Sequence, residues 1–176
     1  ALGSVPRSLA DPIASNQSNI DGFLNMLVAA RDANVASFTY AASSSTYGDH
    51  PALPKVEDRI GMPDMTYGWA KLTNEYLARL AFEKHDLTSV CYRPFSGYGE
   101  DQDDSYPFPG VCKRVLEHRG ADEIMVWGSG RQMRDFIHID DCVSGVLMTM
   151  DQVNDASALN LSTGIYTSFI EFAQTA

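Results

Sequence analysis

The period of the apolar pattern changes repeatedly along the chain, and this alternation constrains the fold more than any other feature. Ile20, Phe23, Leu24, Leu27 and Val28 recur at helical spacing, which predicts a helix from about Asn16 to Asn34. Ser15 or Asn16 can cap its start, and Asn34 can close it. Phe38–Ala42 reads as a short buried strand. A loop follows, broken by Gly48, Pro51, Pro54, Gly61 and Pro63. Asp64–Lys84 then reads as a long helix with Leu72, Tyr76, Leu77, Leu80 and Ala81 on its inner face, and Leu87–Arg93 as the next strand. Helix, strand, helix, strand predicts a parallel α/β layout.

The flanks are read the same way. Ala1–Pro6 looks like the end of a buried strand running into a loop. Phe95–Pro109 is irregular, Val111–His118 a helix, Ile124–Trp127 a strand and Gly128–Gly130 a turn. Asp140 or Asp141 can cap a helix over Cys142–Met150. Leu159–Leu161 is a strand, and Ser168 starts a last helix.

At 176 residues the chain can bury a real core. Its formal net charge of −10 argues against nucleic acid or an anionic membrane as partner. A nucleotide ligand needs only a local basic pocket. Cys91, Cys112 and Cys142 are widely spaced and form no CxxC, so they read as reduced, buried thiols. No run is long and apolar enough to span a bilayer as a helix. The first residues lack the basic start and apolar core of a signal peptide, so the cytoplasm is the expected location.

Two stretches carry chemistry. Tyr67 and Lys71 are four apart, one turn apart on one helical face. An ammonium beside a phenol favours the phenolate, which makes the tyrosine a usable acid/base for a substrate hydroxyl. The plain alternative is an exposed amphipathic helix start. The serines Ser43, Ser44 and Ser45 fall at the carboxyl end of the Phe38–Ala42 strand, where ligands bind in open α/β sheets. The second stretch is Arg131–Asp141. The planar fork of Arg134 suits a diphosphate; the competing reading is an ion pair with Asp135 or a neighbouring acid. Gly3 and Ser4 can offer donors to a ligand or form a plain surface loop. The acids Glu57, Asp58, Glu100, Asp101, Asp103 and Asp104 read as solvated, because they lack the ordered spacing of a calcium loop. His138 has no partner cluster that makes a metal site.

Together these motifs resemble the extended short-chain dehydrogenase/reductase family, the nucleotide-sugar epimerases and dehydratases. The resemblance rests on the strand-end serines, Tyr67-x-x-x-Lys71, Arg93-Pro94-Phe95-Ser96-Gly97-Tyr98-Gly99, and Gly128-x-Gly130 through Arg134-Asp135-Phe136-Ile137-His138-Ile139-Asp140. Residues 1–57, with "ALGSVPRS", "NIDGFLNML" and "SFTYAASSSTYGDHPALPKVED", are similar to bacterial UDP-N-acetylhexosamine 4-epimerases of surface-polysaccharide pathways.

The resemblance implies a partial Rossmann-like fold: a doubly wound, mostly parallel sheet with part of a C-terminal substrate-binding region. Residues 1–95 would be the later part of the NAD-binding domain. Residues 96–176 would interleave substrate-binding segments with the last Rossmann elements. Ser43, Tyr67 and Lys71 would be catalytic. Asn19, Ala41, Ala42, Pro94 and Phe95 would line the NAD side together with Tyr67 and Lys71. Gly3, Ser4, Ser44, Ser96 and Arg134 would face a nucleotide-diphosphate sugar. Ser44 and Ser45 stand where 4,6-dehydratases carry Asp-Glu, which argues against dehydration. Ser45 also stands where GDP-mannose 3,5-epimerases carry a cysteine base, and Ser96 where the family usually has Asn. The glycine-rich dinucleotide turn is absent, so the chain is expected to be an internal fragment. The implied activity is 4-epimerisation of a UDP-hexose or UDP-N-acetylhexosamine by transient oxidation, in a homo-oligomer, expected to be a dimer. The alternative is a non-catalytic α/β relative acting as a binding or oligomerisation module.

Overall fold

The computed structural model describes residues 2–3, 5–120, 123–125 and 128–175. In chain order its elements are α1 Val5–Ala10, α2 Pro12–Asn16, a π turn Gln17–Asp21, α3 Gly22–Asp32, β1 Phe38–Ala41, a 3-10 turn Ser44–Tyr47 and α4 Thr66–His85. There follow β2 Ser89–Pro94, β3 Ser96–Tyr98, α5 Pro107–Glu117, β4 Met133–His138, α6 Ile139–Thr149, β5 Ala158–Leu161, β6 Tyr166–Ser168 and α7 Phe169–Thr175. They form two compact units, Ala1–Pro94 with Gly145–Leu161, and Phe95–Ser144 with Ser162–Ala176. Among the described residues no helix is long and apolar enough to cross a membrane.

The first unit is built on a parallel sheet in the order β1–β2–β5, with Tyr40 opposite Cys91 and Pro94 opposite Leu161. Five successive residues of β2, Ser89–Arg93, are buried, as a central parallel strand requires. Leu27 and Ala30 of α3, Ala78 and Ala81 of α4, and Leu87 form the core on one face, with Phe23, Phe38 and Tyr40 packed against it. On the other face the Tyr92 hydroxyl meets the Val146 carbonyl at 3.2 Å and Thr149 Oγ1 at 2.7 Å.

Residues 5–10 form a helix, so the loop read up to Pro6 gives way at Val5, and Pro6 sits in the first turn, where its missing N–H costs nothing; Ala1 and Ser4, also in that reading, lie outside the described residues. The single helix expected over Asn16–Asn34 is broken. Asp11 caps α2, accepting from the Ala14 N–H at 3.0 Å, and the π turn interrupts the ladder before α3. Asn34 does close that segment, at φ +50°. β1 alternates half-buried and exposed, because one of its faces lies open. On α4, Tyr76 and Leu80 are exposed; the buried face is Gly68, Ala70, Lys71, Leu72, Asn74, Ala78 and Ala81. Small side chains there let the helix lie close to its neighbours.

The second unit holds β3–β4–β6, with β3 parallel and β6 antiparallel to β4. Phe136 of β4 packs edge-on against Phe108 and Phe169 at ring separations of 5.7 and 6.0 Å. α5 starts at Pro107, not Val111, since proline suits the first helical position. Ile124 and Met125 are in no strand; the Met125 carbonyl accepts from Arg114 at 2.9 Å instead of from a ladder partner. Val126 and Trp127, the rest of that expected strand, lie outside the described residues. Asp140 and Asp141 occupy the first turn of α6 and are not its cap, which still suits the helix dipole. Ser168 and Glu171 form a capping box at α7, with reciprocal bonds of 3.2 and 2.8 Å.

Candidate active site

The chain leaves β1 into a tight serine turn. Ser43 is extended, and its Oγ accepts from the Ser45 N–H at 3.1 Å while its carbonyl takes the Thr46 hydroxyl at 2.8 Å. Ser43 and Ser44 are half-buried. Gly48 ends the turn at φ +51°, and a Cβ there would lie 2.2 Å from the Met62 carbonyl oxygen, so only glycine fits.

The start of α4 packs directly on this turn. A Cβ on Gly68 would stand 2.9 Å from the Ser45 carbonyl oxygen. One residue earlier Tyr67 is half-buried, and one turn later Lys71 is 6% exposed. Lys71 Nζ donates to the Ala41 carbonyl at 2.7 Å and lies 5.8 Å from the centre of the Tyr67 ring. Burial lowers the Lys71 pKa; the nearby Cys91 opposes that. Ala41, at the end of β1, is exposed, and the adjoining Ala42 is buried. The structure therefore gathers the serine turn, Tyr67 and Lys71 at the carboxyl end of β1.

The Asn19 side chain turns onto the start of the chain. It is 1% exposed, and its amide pairs with both backbone groups of Leu2, at 2.7 and 3.1 Å, and with Ser15 Oγ at 3.3 Å. Gly3 is half-buried next to that pairing, and Ser4 lies outside the described residues. Pro94, half-buried, ends β2.

A polar network beside the site was missed in the sequence. Arg93, 3% exposed, forms a bidentate pair with Glu75 at 3.0 and 2.6 Å and donates to the Tyr47 hydroxyl at 3.1 Å and the Glu57 carbonyl at 2.9 Å. Tyr47 in turn donates to Asn160 Oδ1 at 2.6 Å, and Glu57 Oε1 accepts from the Asn160 N–H at 2.9 Å. Glu57, read as solvated, thus ties the loop after the serine turn to β5. The only sequence signal was an arginine in the middle of an apolar run, which has to be paired.

In the second unit, Phe95, Ser96, Gln102, Phe108, Arg134 and Phe169 are among the residues lining a cleft of about 190 Å³. Arg134 donates to the Met133 carbonyl at 2.8 Å, with its guanidinium 6.0 Å from the Phe169 ring centre. The expected alternative, a pair with Asp135, is not formed. Asp135 is buried and accepts from Thr163 N–H and Oγ1, both at 2.9 Å, and from the Gly164 N–H at 2.7 Å. The acidic run is used locally: Asp104 pairs with Lys113 at 2.7 Å and Asp103 accepts from the Ser105 N–H at 2.8 Å. His138 Nδ1 accepts from the Asp140 N–H at 3.3 Å.

A parallel sheet with serine, tyrosine and lysine gathered at the carboxyl end of a strand defines a Rossmann-like α/β protein of the dehydrogenase/reductase type. The chain belongs to the NAD dependent epimerase/dehydratase family, whose model matches residues 1–162. It is 31% identical to the protein CapI of Staphylococcus aureus over 147 residues, 83% of this chain and 43% of that one. It is 25% identical to a UDP-glucose 4-epimerase of Lactobacillus helveticus over 194 aligned positions, 100% of this chain and 58% of the other. Among solved structures, the UDP-N-acetylglucosamine 4-epimerase of Methanobrevibacter ruminantium, in complex with UDP-N-acetylmuramic acid, superposes with a TM-score of 0.90 at 27% identity, covering 99% of this chain and 56% of that one. The UDP-glucose 4-epimerase of Thermotoga maritima with UDP-glucose gives a TM-score of 0.91 at 25% identity, covering 99% and 57%. The chain spans about half the length of the relatives it matches.

Proposed function

We propose that the protein carrying this chain is an NAD-dependent nucleotide-sugar epimerase that inverts C4 of a UDP-hexose or UDP-N-acetylhexosamine. The observation that carries this reading is the buried Lys71 ammonium one turn from Tyr67. An ammonium has three N–H donors, and among the described residues one is used, on the Ala41 carbonyl. Two donors remain at the carboxyl end of the strand, which fits the vicinal hydroxyls of a nicotinamide ribose. Bound NAD would supply the acceptor, and later the donor, of a hydride.

The chain's own groups do the rest. Tyr67 takes the proton of the C4 hydroxyl and later returns it. Lys71 holds the ribose and stabilises negative charge developing on the phenol oxygen. Ser43 hydrogen-bonds the C4 oxygen, and Ser44 faces the sugar. Asn19, Ala41, Ala42, Pro94 and Phe95 shape the cofactor side, and Gly3, Ser4 and Ser96 the sugar side. Arg134, beside its aromatic wall, takes the diphosphate. With serines at 44 and 45, no acid stands ready to protonate a leaving hydroxyl, so the 4-keto state is reduced again and not dehydrated. The UDP-sugar epimerases among the relatives support this choice over dehydration.

The reading includes a homodimer, supported by Leu24, Val28 and Leu80, which are exposed along a groove between α3 and α4. It also includes a cytoplasmic site of action, supported by three free thiols. The test is a UDP-sugar substrate labelled with deuterium at C4. The product epimer is expected to keep the label. Loss of the label to solvent would contradict oxidation with return of the same hydride.

A further inference from the structure

Beyond Lys71, α4 carries one more buried polar side chain on the same side. Asn74 is 2% exposed and three residues further on. Its Nδ2 donates to the backbone carbonyl of Asn19 at 2.9 Å. Its Oδ1 is buried with no hydrogen-bond partner among the described residues. A buried amide with an unmatched acceptor is a poorer filler of such a space than leucine, so packing does not account for it.

Its contact accounts for it better. Asn19 stands in the π turn, where the regular helical ladder is broken. The Asn19 side chain closes on Leu2, receiving its N–H at 2.7 Å and donating to its carbonyl at 3.1 Å. This is the two-point pairing a neighbouring strand would give. A continuous path of hydrogen bonds thus runs from α4 through Asn74 and Asn19 to Leu2, and Gly3 is the next residue.

We infer that Asn74 is a positioning residue: it ties the Leu2–Gly3 backbone to the helix that carries Tyr67 and Lys71, so that the sugar-facing segment and the proton-transfer pair hold a fixed separation. This rests on the proposed function for the role of Gly3. Asn74 itself touches no reacting group.

Asn74→Asp keeps the shape and removes the donor, and Asn74→Leu keeps the packing without any polar group. In both, NMR amide exchange at Leu2 is expected to quicken about tenfold, the size of one buried hydrogen bond. KM for the UDP-sugar rises by about the same factor, while kcat at saturation stays within about twofold, as loss of uniform binding requires. Asn19→Leu combined with Asn74→Leu is no worse than Asn19→Leu alone, because both act on one path. Unchanged exchange at Leu2, or faster exchange with unchanged KM, overturns the inference and leaves the functional reading standing. A wild-type protein that turns over no UDP-sugar contradicts the functional reading instead, and the Leu2 exchange still decides the link.

Discussion

Lys71 is held where a lysine is uncomfortable. It is buried, its pKa is lowered by that burial, and its structural bond is to a backbone carbonyl. A group in that position contributes little to stability as a charge. Lys71→Met is therefore expected to leave Tm within a few degrees while cutting turnover by about two orders of magnitude or more, checked by calorimetry and a C4-epimerisation assay. Cys91 makes a second residue-scale case. Burial pushes its thiol up to about 12, with Glu75 adding to the rise. The folded state keeps a proton that the unfolded chain releases near the ordinary value of 9.0, so this contribution to stability is full below that pH and is lost as pH rises towards 12. At pH 8 a thiol reagent is expected to modify the half-buried Cys112 well before Cys91; equal rates would contradict the burial account. The Tyr67 and Lys71 pair was legible because chemistry fixes its spacing on a helix. Arg93 was not, because an arginine inside an apolar run carries no mark of which acid will meet it.

At the scale of elements, the serine turn and α4 make one assembly whose closeness depends on glycine. Gly48→Ala puts a methyl group 2.2 Å from a backbone oxygen at φ +51° and is expected to cost about 2 kcal/mol or more, read by denaturant unfolding. Arg93→Leu strands a nearly buried Glu75, and a loss of about 3–5 kcal/mol is expected; Arg93→Leu with Glu75→Leu recovers part of it. Equal losses in the single and double variants would contradict the account of a paired network. The apolar pattern located β2, α4 and β5 to within a few residues, β2 as a continuous apolar run and α4 by its helical repeat. It missed the helices over residues 5–16 and read residues 16–34 as one regular helix, of which Gly22–Asp32 is α3. There the π turn interrupts a helix whose apolar repeat continues unbroken, and nothing local in the sequence marks hydrogen bonds to Leu2 and Asn74. It also placed Tyr76 and Leu80 on the inner face of α4. Helical spacing alone does not say which of two apolar stripes meets the core.

At the scale of the whole molecule, that second stripe has a consequence. Leu24, Val28 and Leu80 remain exposed along a groove between α3 and α4, the apolar face that the proposed dimer would use. Light scattering is expected to give a dimer, and Leu80→Lys with Val28→Lys a monomer. The sequence conveyed the parallel α/β class and four ordered motifs, because these follow from period and spacing. The return of residues 145–161 to the first unit depends on a crossover that spacing does not encode. The proposed function makes Tyr67, steadied by Lys71 and the serine turn, the group that moves the C4 proton of a UDP-sugar. The most direct measurement is NMR detection of C4 epimers by the NAD-supplied protein, wild type against Tyr67→Phe. The account predicts interconversion from either epimer in the wild type and a loss of about 10²–10⁴-fold in the variant with its fold intact. Equal rates in the two proteins, or no C4 epimer from wild type, would contradict it.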